Sequence, residues 1–245
     1  MKTIGVLTSG GDAPGMNAAV RAVVRSAISL GMNVIGIRHG YNGLINGDIT
    51  PMDIRSVSEI IHRGGTALYT ARCPEFKTEE GIQKAVDNCK KFGIEGIVVI
   101  GGDGSFRGAA DLSARGILAV GIPCTIDNDI SCTNYCIGFD TAVNTAIECI
   151  DKLRDTMQSH ERCSVVEIMG RKAGFLAMYV GLAVGATAVL VPEKPIDFEQ
   201  DVIEKIRRAR LKGFTHYMIV VAEGAGSAAE IAKKIKDTID LDPRV

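Results

Sequence analysis

Two glycine-rich turns, each leaving an apolar strand and each carrying an aspartate, restrict this chain more than any other feature: Gly10-Gly11-Asp12-Ala13-Pro14-Gly15-Met16-Asn17 and Gly101-Gly102-Asp103-Gly104-Ser105. A glycine turn at a strand end lets backbone N–H groups close on phosphate oxygens, and an aspartate in the turn is placed to hold the Mg2+ that travels with them. The alternatives are a plain strand-to-helix turn for the first segment and a helix cap for Asp103. A second turn of the same kind shifts the reading toward phosphoryl chemistry.

The strand, turn and helix order repeats along the chain. Ile4–Thr8 is an apolar strand, an Ala- and Val-rich helix follows the first turn through Ser29, and Gly31 stops it. Asn33–Ile37 is β-branched enough for a strand buried on both faces. Gly40, Gly43, Asn46 and Gly47 predict loops, and Val57–Ile61 a short helix ended by Gly64-Gly65. Helical spacing over Glu79–Phe92 leads to the strand Ile94–Ile100, which delivers the second turn; a helix over Phe106–Ala114 and a strand over Leu118–Ile122 come next. Beyond Gly138 the pattern restarts with a helix over Thr141–Thr156. Strands at Cys163–Ile168, Ala188–Val191 and Tyr217–Val221 then alternate with helices at Ala173–Val184, Phe198–Leu211 and Ala228–Thr238. The expected fold class is α/β, two doubly wound three-layer domains with mainly parallel sheets, divided as residues 1–138 and 139–245.

Composition narrows the function. With 245 residues, 46% of them hydrophobic, the chain can bury a substantial core, and a formal net charge of -1 supplies no global field for nucleic acid or an anionic membrane. No apolar run is long enough to cross a bilayer and no charged-then-apolar leader opens the chain, so a cytoplasmic location is expected. The seven cysteines are scattered without zinc-site spacing, which predicts reduced thiols; Cys132 and Cys136 have no matching second pair. Cys73, beside Arg72, is the thiol to test for reactivity. The four histidines form no catalytic grouping.

Phosphoryl transfer needs a phosphate cradle, metal ligands, a base and cations. Gly10 and Gly11 supply the cradle at a helix N-terminus, and Asp103 between glycines is placed for a nucleotide-bound metal. No GxxxxGK[ST] motif occurs, so the cationic role falls to Arg72 and Arg171, whose alternative is a solvated surface charge. Thr125-Ile126-Asp127-Asn128-Asp129 is the segment for proton abstraction, with Asp127 as the base. Two aspartates so close in an apolar loop are costly without a cation, though a simple turn is the alternative.

GGDAPGMN, YTARCPEF, VVIGGDGSFRGA, TIDNDI, GFDTAVNT, SVVEIMGR and VPE, in this order, resemble the bacterial-type ATP-dependent 6-phosphofructokinase family over nearly the whole chain. The GGDG turn alone is shared with kinases of NAD and of diacylglycerol; the order and spacing of the set are specific. The resemblance implies transfer of the γ-phosphoryl of MgATP to the 1-hydroxyl of fructose 6-phosphate, in a homotetramer, with the second domain binding the sugar phosphate. It implies that Gly11, Arg72, Cys73, Asp103, Gly104, Ser105 and Gly108 surround ATP, with Asp103 on Mg2+. Thr125, Asp127 and Asp129 meet the reacting end of the sugar. Met169, Gly170, Arg171 and Glu223 bind the sugar phosphate, Arg171 also offsets transition-state charge, and Arg162 and Arg244 reach a neighbouring subunit's substrate. Arg21, Arg25 and Arg154 resemble a second nucleotide site for an ADP-type effector.

Some positions depart from the family pattern. The family continues past Val245 with a His-Ile-Gln-Arg-Gly-Gly segment, so apolar faces left uncovered, poor stability or reliance on packing between copies are expected. Thr187 stands where the family often has an acidic effector-site residue, and Phe214 falls near an expected lysine. Cys124 replaces a glycine usual in ATP users, whereas pyrophosphate users tend to have lysine there and aspartate at the Gly104 position. The competing functions are a pyrophosphate-dependent phosphofructokinase and a catalytically dead nucleotide-binding fragment.

Overall fold

The computed structural model describes Lys2–Val245. Contacts divide it into two units: one holds the described residues through Thr125 together with Asp129–Phe139, and the other holds Ile126–Asn128 and Asp140–Val245.

The first unit is built on β1 (Thr3–Ser9), β2 (Asn33–Ile37), β3 (Ile49–Met52), β4 (Gly96–Gly101) and β5 (Leu118–Pro123), in the order β3-β2-β1-β4-β5. All neighbours are parallel except β3, which runs antiparallel to β2. α1 (Met16–Ser29) packs on β1, β2 and β4. α2 (Gly40–Asn46), α3 (Glu79–Lys91) and α4 (Asp103–Ser113) share a core with the sheet, in which Leu7, Ile37, Tyr41, Leu44, Val86, Ile97, Val99 and Leu112 are buried. The local signals are visible in α3. Thr78 accepts a hydrogen bond from the Gly81 N–H at 3.1 Å, Glu79 and Glu80 occupy the first turn, and Lys90 and Lys91 the last, each matching the helix dipole.

The second unit carries β6 (Cys163–Ile168), β7 (Ala188–Leu190) and β8 (Tyr217–Ala222) in the parallel order β6-β8-β7. Every residue of β8 is buried, as expected of a central strand covered on both faces. α7 (Glu204–Leu211) and α8 (Ala228–Thr238) bury Ile206, Ile231 and Ile235 against one face, and α6 (Phe175–Ala183) packs on β7 and β8. α5 (Phe139–Ser159) precedes this sheet. The Arg244 N–H donates to Cys163 O and the Val165 N–H to Arg244 O, so residue 244 adds a bridge beside β6.

Several sequence expectations are corrected. The glycine-marked segment after β2 is a helix, α2, because Tyr41 and Leu44 are buried in the core and the Asn88 side-chain amide holds the Leu44 and Ile45 carbonyls at 2.9 and 2.7 Å. The short helix expected at Val57–Ile61 is a single 3-10 turn at Arg55–Val57, since Ser58 is extended and Glu59 has φ 57°. β3 was not expected; its Pro51 lies on an edge strand, where a missing N–H is tolerated. The helix expected from Phe106 begins at Asp103, and the helix expected over Phe198–Leu211 opens with a π-helical turn at Glu199–Ile203 that buries Val202 and Ile203.

All seven cysteines carry thiols outside any disulfide. Burial pushes the Cys124 and Cys163 thiols up to about 12 and Cys89 up to about 11, so at pH 8 only about one in ten thousand of the first two is thiolate. Brief iodoacetamide treatment at pH 8 followed by peptide mass spectrometry is therefore expected to label exposed Cys132 and Cys149 and to leave Cys89, Cys124 and Cys163 unmodified.

Candidate functional site

β1 and β4 are neighbours, with Ser9 opposite Gly101, so both glycine turns leave the sheet together at its carboxyl edge. The chain continues outward from β1 to β2 on one side and from β4 to β5 on the other, which makes this the sheet's switch point, the usual ligand position in open α/β folds. Gly10 has φ 90°, a left-handed conformation suited to glycine, and Gly11 and Asp12 are exposed beyond it.

The two turns are tied to each other and to a third segment. Ser105, 4% exposed, donates its hydroxyl to Ser9 O at 2.9 Å. Thr70 donates to Gly10 O at 2.7 Å. The wholly buried Thr8 donates to Tyr69 O at 2.8 Å. Buried Asn17 on α1 donates to Arg63 O and Gly64 O at 3.1 and 3.2 Å and accepts from the Ala67 N–H at 2.7 Å. The loop 63–70 is thereby fixed against the first turn and leads directly into Arg72, which is exposed, and Cys73, which packs against the core.

Asp103 stands in the first turn of α4, its carboxylate 2.8 Å from Arg107, with that arginine side chain 79% exposed. An exposed pair of this kind contributes little and yields readily to a stronger cation. Mg2+ is commonly held by one or two carboxylates together with substrate phosphates, and the accessible Asp103 carboxylate fits that donor set. Gly104 is open to solvent, Gly108 lies against the Tyr41 ring, and the Tyr41 hydroxyl donates to Ser105 O at 2.5 Å. Thr125 packs near Gly102, and Asp129 is exposed in the same unit.

The second unit builds a separate constellation at the carboxyl edge of its own sheet. Ile168 of β6 lies opposite Ala222 of β8, so Met169-Gly170-Arg171 and Glu223 emerge side by side. Met169 is exposed and Gly170 buried. Arg171 has φ 55°, and its N–H donates to Glu223 Oε1 at 2.5 Å. A Cβ on Gly224 would fall 2.2 Å from Arg171 O, so only glycine permits this approach. The Arg171 Nε stands 3.7 Å from Asp127 Oδ2, with the Asp127 side chain 12% exposed and that of Arg171 61% exposed. Asn128, next to this carboxylate, has φ 53°. Such a geometry holds a nearly buried carboxylate beside a cation that can still reach an anionic ligand.

Arg162 is half-buried, and Arg244 is exposed and paired with Asp242 at 3.0 Å. Arg154 lines a cavity of about 420 Å³ with Lys205, Arg208, Lys212 and His216, joined by Thr187 and Phe214. Its guanidinium donates to Val184 O and stands 3.8 Å from Asp151. Arg21 and Arg25 lie on α1 in the other unit. Sequence reasoning missed Thr70, Tyr41, Gly224, Lys205 and Arg208. Gly224, directly after Glu223 at a strand end, offered a local signal; the others are placed by contacts distant in sequence.

A family model described as phosphofructokinase matches residues 3–245. The chain is 60% identical over all 245 residues to an ATP-dependent 6-phosphofructokinase of Bacillus pumilus and covers 76% of that protein. It is 58% identical to the protein of the same name from Shouchella clausii, again covering 76% of it. Among solved structures, a phosphofructokinase from Saccharomyces cerevisiae matches the whole chain and 37% of its own length, with TM-score 0.91 and 36% identity. Among the described residues no helix is long and apolar enough to cross a membrane.

Proposed function

The chain belongs to the phosphofructokinase family, and from that premise we propose that its paired glycine turns hold MgATP while Asp127 takes the proton from the sugar hydroxyl. The activity is ATP-dependent 6-phosphofructokinase in glycolysis: the γ-phosphoryl of ATP passes to the 1-hydroxyl of fructose 6-phosphate, giving fructose 1,6-bisphosphate. The observation that supports the residue assignment best is the nearly buried Asp127 carboxylate with the Arg171 guanidinium 3.7 Å away.

In this reading the N–H groups of Gly10 and Gly11 and the first turn of α4 receive phosphate oxygens, and Asp103, paired with Arg107, would be the carboxylate that holds Mg2+. When bound, the metal would supply positive charge against the nucleotide phosphates. Asp127 accepts the hydroxyl proton as the oxygen attacks phosphorus, and Arg171 offsets the charge that builds on the transferring group. Glu223 holds the Arg171 backbone in place, and Thr125 and Asp129 border the reacting hydroxyl. Coupled turnover tests the reading. ATP with fructose 6-phosphate is expected to support turnover and pyrophosphate to fail as donor, consistent with Gly104. Turnover with pyrophosphate alone would overturn the assignment.

Two partner readings complete it. The cavity around Arg154, Lys205, Arg208 and Lys212 is lined without a carboxylate and suits the phosphates of an ADP-type effector, with Thr187 and Phe214 altering its chemistry from the family pattern. α6 exposes Phe175, Met178, Tyr179 and Leu182 on one face, Leu182 at 82%. Helical spacing of this kind makes a continuous apolar strip suited to a second copy, as a homotetramer requires. Leu182→Glu is expected to shift the light-scattering mass of the protein toward a smaller species without changing its circular dichroism.

A further inference from the structure

Thr70 and Ser105 hold two successive carbonyls of the first glycine turn. Ser105 Oγ donates to Ser9 O at 2.9 Å and Thr70 Oγ1 donates to Gly10 O at 2.7 Å. In a planar trans peptide the N–H points opposite to the carbonyl of the same unit. Fixing Ser9 O therefore directs the Gly10 N–H away from Ser105, and fixing Gly10 O directs the Gly11 N–H away from Thr70. Among the described residues neither N–H donates to a protein acceptor. A Cβ built on Gly11 would meet no atom within 4 Å, so space stands open beside that residue.

Both clamps are themselves held. The Tyr41 hydroxyl fixes the Ser105 carbonyl, and Asn17 and Thr8 fix the loop that carries Thr70. A glycine pair left free would sample many orientations, and an anion would have to stop that motion on binding. We infer that Thr70 and Ser105 are positioning residues that lock two peptide planes of the first turn so that consecutive N–H groups face an anion before it arrives. The inference rests on the reading of that turn as the site of the ATP phosphates. It gives Ser105 a structural hydroxyl rather than one that touches nucleotide, and gives Thr70 a role no motif marked.

The test uses the full chain. Thr70→Val keeps the side-chain volume and removes the donor; it is expected to raise KM for ATP about tenfold while KM for fructose 6-phosphate stays within twofold. Calorimetric titration is expected to show ATP binding weakened about tenfold and AMP binding, which lacks the outer phosphates, within twofold. Thr70→Ser restores the hydroxyl and should restore ATP affinity. An equal loss for ATP and AMP, or ATP affinity within twofold of wild type in folded Thr70→Val protein, overturns the inference. Ser105→Ala carries the same comparison if Thr70→Val does not fold. Failure of the underlying reading shows separately, as absent ATP binding or turnover in the wild-type protein.

Discussion

Asp127→Ser is expected to lower kcat by at least a hundredfold and by as much as about ten-thousandfold, the range for losing a positioned general base, with much smaller changes in KM for either substrate. The reason lies in the geometry of the second unit. Asp127 is a carboxylate with little solvent around it, and the Arg171 guanidinium stands 3.7 Å away to offset charge. Serine keeps a polar group in the space but cannot take the proton at neutral pH. Retained circular dichroism and thermal midpoint would separate lost chemistry from lost fold. A kcat within about tenfold of wild type, worth only about 1.4 kcal/mol of barrier, would remove Asp127 from the role of base.

Arg171→Ala should produce the second large effect, a fall of roughly a thousandfold in kcat/KM, because a cation that offsets charge on a transferring phosphoryl group contributes at that scale. Arg171→Lys is expected to recover only part of it, since a point charge on a flexible stem does not reproduce the planar fork. Gly224→Ala offers an indirect route to the same defect. Its Cβ, 2.2 Å from Arg171 O, pushes on backbone and forces Arg171 from the position in which its N–H meets Glu223. Steady-state kinetics of the three variants therefore form one series. Full activity in Arg171→Ala would leave Asp127 without its charged partner in catalysis and would break the account of the second unit.

Much of the architecture was legible along the chain. The strands Asn33–Ile37 and Cys163–Ile168 and the helix Ala228–Thr238 have the bounds expected from apolar runs and helical spacing, because the pattern of apolar residues sets which positions each element can bury. α2 and β3 were not legible. Gly40 and Gly43 read locally as turns, and α2 forms because the Asn88 amide and the surrounding core stabilise it from elsewhere in the chain. β3 contains a proline and exists only as an edge partner of β2.

The candidate site divides in the same way. Glycine turns at strand ends and the carboxylates of Asp103 and Asp127 were visible by themselves, because backbone freedom and charge in an apolar neighbourhood are properties of residue type and of a few neighbours. Thr70 meets Gly10 from 60 positions away and Ser105 meets Ser9 from 96, so their role arises only when the folded sheet brings the segments together. Glu223 reaches Arg171 from 52 positions away for the same reason. Local sequence determined which chemistry this protein can carry. The tertiary structure decided which hydroxyls and carboxylates hold that chemistry in place, since a hydrogen bond between distant segments depends on the register of the strands that deliver them.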